Sequence, residues 1–160
     1  MIQKKIKDLT RLKAKVSRCK KRGERIVFTN GCFDLLHPGH LYYLEKAKSL
    51  GDRLIVAVNS DRSVKKIKGG LRPVMPEKQR AALLAGLACV DYVIIFSAPT
   101  PLALIKALRP QVLVKGGDWR KKDIVGSEFV RSYKGKVVNC SFLKGYSSSA
   151  IIARIRRGRR

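Results

Sequence analysis

His37 and His40 are the only histidines in the chain, and they stand three residues apart around Pro38-Gly39. A helix that opens at Pro38 projects both rings from the same side, next to its first backbone N–H groups and the positive end of its dipole. Upstream, Ile26-Val27-Phe28 reads as a buried strand, and Asn30-Gly31 turns the chain towards that helix. A strand that delivers a loop to a helix start, with two imidazoles there, suits an anionic guest, and phosphate chemistry is the expectation. The plain alternative is a pair of packing or capping histidines. A metal pair is the other alternative, but a third histidine and closely spaced cysteines, which would complete a zinc site, are both missing from the sequence.

Three other stretches carry residues of the same chemical kind. Lys65, Lys66 and Lys68 lead into Gly69-Gly70-Leu71-Arg72-Pro73, a basic segment that reads as a solvated loop or as a clamp over phosphate oxygens. Val112-Leu113-Val114 reads as a strand that ends in Lys115-Gly116-Gly117-Asp118, where paired glycines allow close backbone approach to a ligand. Lys144-Gly145-Tyr146-Ser147-Ser148-Ser149 precedes a final helix from about Ala150, and its serines serve either as caps or as phosphate donors.

The elements that must hold these loops follow from the apolar runs. Strands are expected at 26–28, 53–58, 90–96, 111–114 and 136–139, alternating with helices at 38–50, 76–88, 100–108 and 123–133. Pro76 opens one of these helices, and Thr100 caps another with Pro101 at its first position. Asn59-Ser60-Asp61 lies at the end of the second strand, where Ser60 or Asp61 caps the next helix or faces a ligand. Arg80, within the 76–88 helix, makes either a surface salt bridge or a phosphate contact. Strand and helix alternation predicts an α/β, Rossmann-like, doubly wound, mainly parallel five-stranded sheet with flanking helices, which brings the loops after residues 28, 58, 114 and 143 to one edge. Ile2, Ile6, Leu9, Leu12 and Val16 recur at steps of three and four, so residues 1–25 are expected to form a basic amphipathic helix packed on a domain of residues 26–160.

Composition narrows the class. A hydrophobic fraction of 45% fits a globular chain, and no apolar run approaches a membrane span. Charged residues near the start leave no room for a secretory leader, and four scattered cysteines suit reduced thiols, so a cytoplasmic location is expected. The net charge is +25, with eleven Lys or Arg against Asp8 and Glu24 in residues 1–25 and five Arg in residues 154–160. Such a field attracts nucleotides, RNA or anionic lipid without selecting among them. An RNA- or membrane-surface-binding protein that works through its basic ends is the rival reading from another class.

The run Gly31-Cys32-Phe33-Asp34 followed by His37-Pro38-Gly39-His40 resembles the HxGH signature of the cytidylyltransferase-like nucleotidyltransferases. The longer run from Thr29, the Gly51 to Asp61 stretch and Lys115-Gly116-Gly117-Asp118 are most similar to the adenylyltransferases of bacterial ADP-heptose synthesis. Gly145 to Ser149 resembles a second family signature, with serines where the family carries threonines. This resemblance implies transfer of AMP from ATP, bound with Mg²⁺, to the sugar 1-phosphate D-glycero-β-D-manno-heptose 1-phosphate, with pyrophosphate released. Glycerol 3-phosphate with CTP is the alternative pair. It further implies catalytic roles for His37, His40 and Lys68. Nucleotide contacts are implied for Thr29, Asn30, Gly31, Phe33, Lys115, Gly116, Asp118, Lys144, Tyr146, Ser147, Ser148 and Ser149. Acceptor contacts are implied for Asp34, Asn59, Asp61 and Arg80. No protein-held metal site is expected. A homodimer is implied, and a separate sugar kinase is expected to supply the acceptor.

Overall fold

The computed structural model describes residues 2–117, 120–141, 143 and 145–158. Five strands form one sheet: β1 (Ile26–Gly31), β2 (Arg53–Asn59), β3 (Tyr92–Phe96), β4 (Val112–Gly116) and β5 (Lys136–Cys140). Their order is β3-β2-β1-β4-β5, and every pairing is parallel. Each strand is apolar on both faces, as a sheet covered by helices on both sides requires. Period-two alternation divides the core: Ile26, Phe28, Ile55 and Leu113 face one layer, while Val27, Val56, Val58 and Val114 face the other. The first layer is closed by α1 (Leu9–Lys21), α5 (Leu102–Leu108) and α6 (Ser127–Ser132). The second is closed by α2 (Pro38–Lys48) and α4 (Glu77–Gly86). Between them in sequence, α3 (Asp61–Lys68) follows β2, and α7 (Ser148–Arg157) ends the described chain.

The chain runs outward from β1 to β3 and then crosses to β4 on the other side of β1. A crevice therefore opens at the carboxyl ends of β1 and β4, the switch point where doubly wound sheets bind ligands. Among the described residues no helix is long and apolar enough to cross a membrane.

Several local expectations change. The N-terminal stripe is not one helix. Asp8 accepts from the Arg11 amide at 2.8 Å and starts α1 at Leu9, a cap that favours a helix beginning there. Ile2–Lys4 is a single 3-10 turn, and Ile6 bridges to Val93 on the free edge of β3, where Lys7 N–H donates to the Val93 carbonyl at 2.9 Å. Leu12, Val16 and Cys19 are buried in the first layer, and Ile6, partly buried, packs against the second. β1 runs on through Asn30 and Gly31, paired with Ala57 and Val58, instead of turning there. Helix α4 starts after Pro76 and stops at Gly86, short of Ala88. Thr100 does not cap α5; Pro101 precedes it without a side-chain cap. The helix expected over 123–133 is split by Gly126 at φ +86°, so a 3-10 turn at Lys121–Asp123 precedes a shorter α6. Lys65, Lys66 and Lys68 belong to the last turns of α3, capped by Ser60, rather than to a mobile loop. Helix α7 begins two residues early because Ser147 caps it, accepting from the Ala150 amide at 3.0 Å.

Candidate active site

The loop from β1 to α2 is built to bring two imidazoles together. His37 is the residue before the first turn of α2, in extended conformation, and Pro38 opens the helix. The His37 and His40 rings stack with centroids 3.9 Å apart, and Phe33 packs against His40 at 5.2 Å. Phe33 itself sits at φ +47°, a left-handed conformation that costs a non-glycine residue on the order of 1 kcal/mol and holds its ring under the histidines. The Nδ1 atoms of both histidines are buried without a hydrogen bond, while the His40 ring also meets the backbone at Leu35. Row-of-amides binding at this helix start is limited. Pro38 has no N–H, and the amides of His40 and Leu41 turn back to the His37 carbonyl at 2.9 and 3.4 Å. The donors left free at this helix start are therefore mainly side chains.

Gly39 makes the stack possible. A Cβ at that position would lie 3.0 Å from His37 Nδ1 and 3.2 Å from the Tyr146 Cβ. Gly39→Ala is expected to push the His37 ring off His40 and to lower kcat/KM about 100-fold, the scale of a misplaced catalytic group, while the protein still folds. Steady-state kinetics beside a circular dichroism melt checks both halves of that statement.

Burial, together with the neighbouring His37 and Lys68, pushes the pKa of His40 down to about 4, and burial alone lowers that of His37. Both imidazoles are neutral donors at neutral pH. The unfolded chain takes up a proton on His40 near pH 6.5, whereas the folded chain refuses it until about pH 4. Stability therefore falls as pH falls through that window, by on the order of 2 kcal/mol after allowance for partial solvation. Denaturant midpoints measured across the window should show this slope, and His40→Asn should flatten it.

Above the loop, at the switch point, lies a cavity of about 230 Å³. β1 contributes Asn30 and Gly31, β4 contributes Lys115 and Gly116, and α2 contributes His40 and Tyr43. Lys68 from α3 and Ser148 from α7 close its sides. Lys115 Nζ reaches Asn30 Oδ1 at 3.4 Å, and burial lowers its proton affinity. Its one long contact leaves the ammonium free to bind an incoming oxygen.

A second set of contacts fixes the walls. Asp34, almost fully buried, accepts from Arg72 Nη1 at 2.8 Å and from the amides of Val74 and Met75 at 2.7 and 3.1 Å. Arg72 also donates to Ser149 Oγ at 3.1 Å, so one guanidinium ties the histidine loop to the start of α7. Arg80 is fully buried and donates to the Met75 carbonyl at 2.9 Å, the Cys32 carbonyl at 2.5 Å and Asp61 at 2.7 Å. Ser148 Oγ donates to the Leu35 carbonyl at 2.9 Å.

The structure thus gathers His40, Lys68, Asn30, Gly31, Phe33, Asp34, Lys115, Gly116 and Ser148 around one cavity. His37 stacks on His40, and Tyr146 lies beyond it with ring centroids 6.5 Å apart. Thr29 is buried beneath and bonded to the Tyr43 hydroxyl. Ser147 is spent as a cap, and Ser149 is held by Arg72. Asn59 is buried and donates to Ser63 Oγ at 2.9 Å, away from the cavity. Arg80 is neither at the surface nor lining the cavity, and Asp61 faces it. Asp118 and Lys144 lie outside the described residues. Cys32 and Arg72 were named in the sequence only within longer runs, and Tyr43 was not singled out. Tyr43 stands one helical turn after His40, a spacing that could have found it.

A family model described as cytidylyltransferase-like matches residues 28–154, which takes in most of β1, all of the other four strands and the histidine loop. The chain belongs to the cytidylyltransferase-like family. It is a nucleotidyltransferase. It is 54% identical over 154 residues to the bifunctional protein HldE of Geotalea uraniireducens strain Rf4, covering 96% of this chain and 31% of that protein. It is 58% identical over 134 residues to HldE of Helicobacter pylori strain Shi470, covering 84% of this chain and 28% of that protein. The chain therefore spans about a third of the length of these relatives. Among solved structures, it resembles the lipopolysaccharide core biosynthesis protein of Thermoplasma volcanium GSS1 at 29% identity and TM-score 0.61, covering 78% of this chain and all of that one. The pantoate-beta-alanine ligase of Francisella tularensis, at 16% identity and TM-score 0.61 over 94% of this chain and 76% of that one, shares the fold.

Proposed function

We propose that this nucleotidyltransferase moves AMP from ATP to D-glycero-β-D-manno-heptose 1-phosphate, forming ADP-heptose and pyrophosphate. The observation that carries the chemistry is the stacked, neutral His37 and His40 pair at the cavity, with Lys68 and Lys115 beside it. The choice of acceptor is supported by the similarity to HldE and to a lipopolysaccharide core biosynthesis protein.

In the proposed reaction an oxygen of the sugar phosphate attacks the α-phosphorus of ATP in line. The new P–O bond forms as the bond from α-phosphorus to the bridging oxygen breaks, and that oxygen keeps the electron pair as pyrophosphate leaves. No residue is alkylated or phosphorylated. The enzyme acts by positioning and by stabilising charge on the α-phosphate oxygens, the part given to His37 and His40. Lys68 meets the departing phosphates, and Lys115 with Asn30 holds the opposite end of the reactants.

Asp34, the carboxylate in the cavity, is saturated by Arg72 and two amides, and no group of three or more His, Cys, Asp or Glu gathers among the described residues. On this reading Mg²⁺ would enter with ATP and would offset the charge of its phosphates. Arg80 and Asp61, proposed from the resemblance as acceptor contacts, act on this reading as positioning residues. The enzyme is proposed to work in the cytoplasm as a homodimer, the latter open to sedimentation analysis.

The test is pyrophosphate release with ATP or CTP, each paired with the heptose 1-phosphate or glycerol 3-phosphate. Release confined to ATP with the heptose supports the assignment. Release with CTP and glycerol 3-phosphate replaces it with the other pair.

A further inference from the structure

Beside the catalytic cavity runs a second and larger depression, about 520 Å³, between the end of α3 with the segment after it and the outer side of α7. Leu71, Ile152 and Ala153 line it, together with Lys68, Arg72, Arg156 and Arg157. Three observations give it a purpose. Lys68 lines both spaces, so the groove adjoins the catalytic cavity at a lysine whose charge is felt at His40. The groove has four cations and no carboxylate among its lining residues. Arg72 is neutralised by Asp34, but among the described residues Lys68, Arg156 and Arg157 enter no salt bridge. Lastly, the catalytic cavity, at about 230 Å³, is smaller than the usual range for a small-molecule site, and the groove lies within that range.

We infer that this groove receives the pyrophosphate product, with Arg156 and Arg157 drawing it past Lys68 and away from the reacting centre. The inference rests on the nucleotidyl-transfer reading. Planar guanidinium groups bind phosphate oxygens in pairs, and two of them on consecutive positions of one helix, facing an uncompensated lysine, suit a compact, multiply charged diphosphate. Neither arginine touches the histidine loop, so their service is to the departing anion rather than to the α-phosphate.

The experiment is isothermal titration of inorganic pyrophosphate with Mg²⁺ into the full chain and into an Arg156→Ala/Arg157→Ala variant. A second variant, Lys13→Ala/Lys15→Ala, removes the same charge from α1 and controls for the general positive field. The arginine variant is expected to bind pyrophosphate about tenfold more weakly or worse, with the α1 variant within twofold of the parent. The non-hydrolysable analogue α,β-methylene-ATP is titrated in parallel and should change less than twofold. Equal pyrophosphate affinity in parent and arginine variant overturns the inference. So does an equal loss for the analogue, which would make the groove part of the substrate site, or an equal loss in the α1 variant, which would leave only the field. Because binding is read directly, an absence of transfer activity would refute the proposed reaction without deciding this result.

Discussion

His40→Ala is expected to lower kcat at least 1,000-fold, roughly 4 kcal/mol of transition-state stabilisation, and to leave the protein folded. The imidazole lines the cavity, stacks on His37, packs on Phe33 and carries no hydrogen bond at Nδ1, so its removal strips charge stabilisation while cutting only ring packing and the contact with the Leu35 backbone. Its stability cost is confined to lost ring packing, of the order of 1 kcal/mol. His37→Ala is expected to lose less, since His37 stacks behind its partner and does not line the cavity. Turnover measured beside a thermal melt separates the two effects. A loss below tenfold for His40→Ala would mean that the histidines only pack.

The largest stability effect is expected at Arg80. Its side chain is fully buried and joins three segments that are far apart in sequence: the Cys32 carbonyl in the histidine loop, the Met75 carbonyl before α4, and Asp61 at the start of α3. Arg80→Ala leaves a cavity and strands two carbonyls and a carboxylate, at a cost of about 3–5 kcal/mol. For a chain of this length that is a fall in Tm of roughly 10 °C. Arg80→Lys keeps the charge but not the fork geometry, and an intermediate loss is expected. Activity should drop with stability, because the loop that carries His37 and His40 hangs from the same guanidinium. A loss below 1 kcal/mol for Arg80→Ala would show that the loop holds its shape through Asp34 and Arg72 alone.

Much of this architecture was legible in the sequence. Strands buried on both faces write themselves as unbroken apolar runs such as Leu54 to Val58, whereas the edge strand Lys136–Cys140 is only partly buried and offers two adjacent valines. His37 and His40 were legible because their spacing and the Pro38-Gly39 pair encode a helix start, a local feature. Contacts that close over long separations were not legible. Arg80 looks like one exposed charge on an alanine-rich helix, and only the fold shows that Cys32 and Asp61 converge on it. Asp34 was assigned an acceptor contact through the resemblance, and its ion pair with Arg72, 38 positions away, is a contact that only the fold shows. At the N-terminus, period-three spacing pointed to one helix, but Asp8 offers a cap and the β3 edge offers backbone partners, and these decided the local structure.

The most direct test of nucleotidyl transfer is phosphorus NMR of the full chain with MgATP and heptose 1-phosphate. Two mutually coupled resonances of a new nucleoside diphosphate sugar are expected, growing in equal amount with inorganic pyrophosphate and absent from the His40→Ala sample. ADP with a doubly phosphorylated sugar would contradict nucleotidyl transfer, since that outcome places the attack on the γ-phosphorus and not on the α.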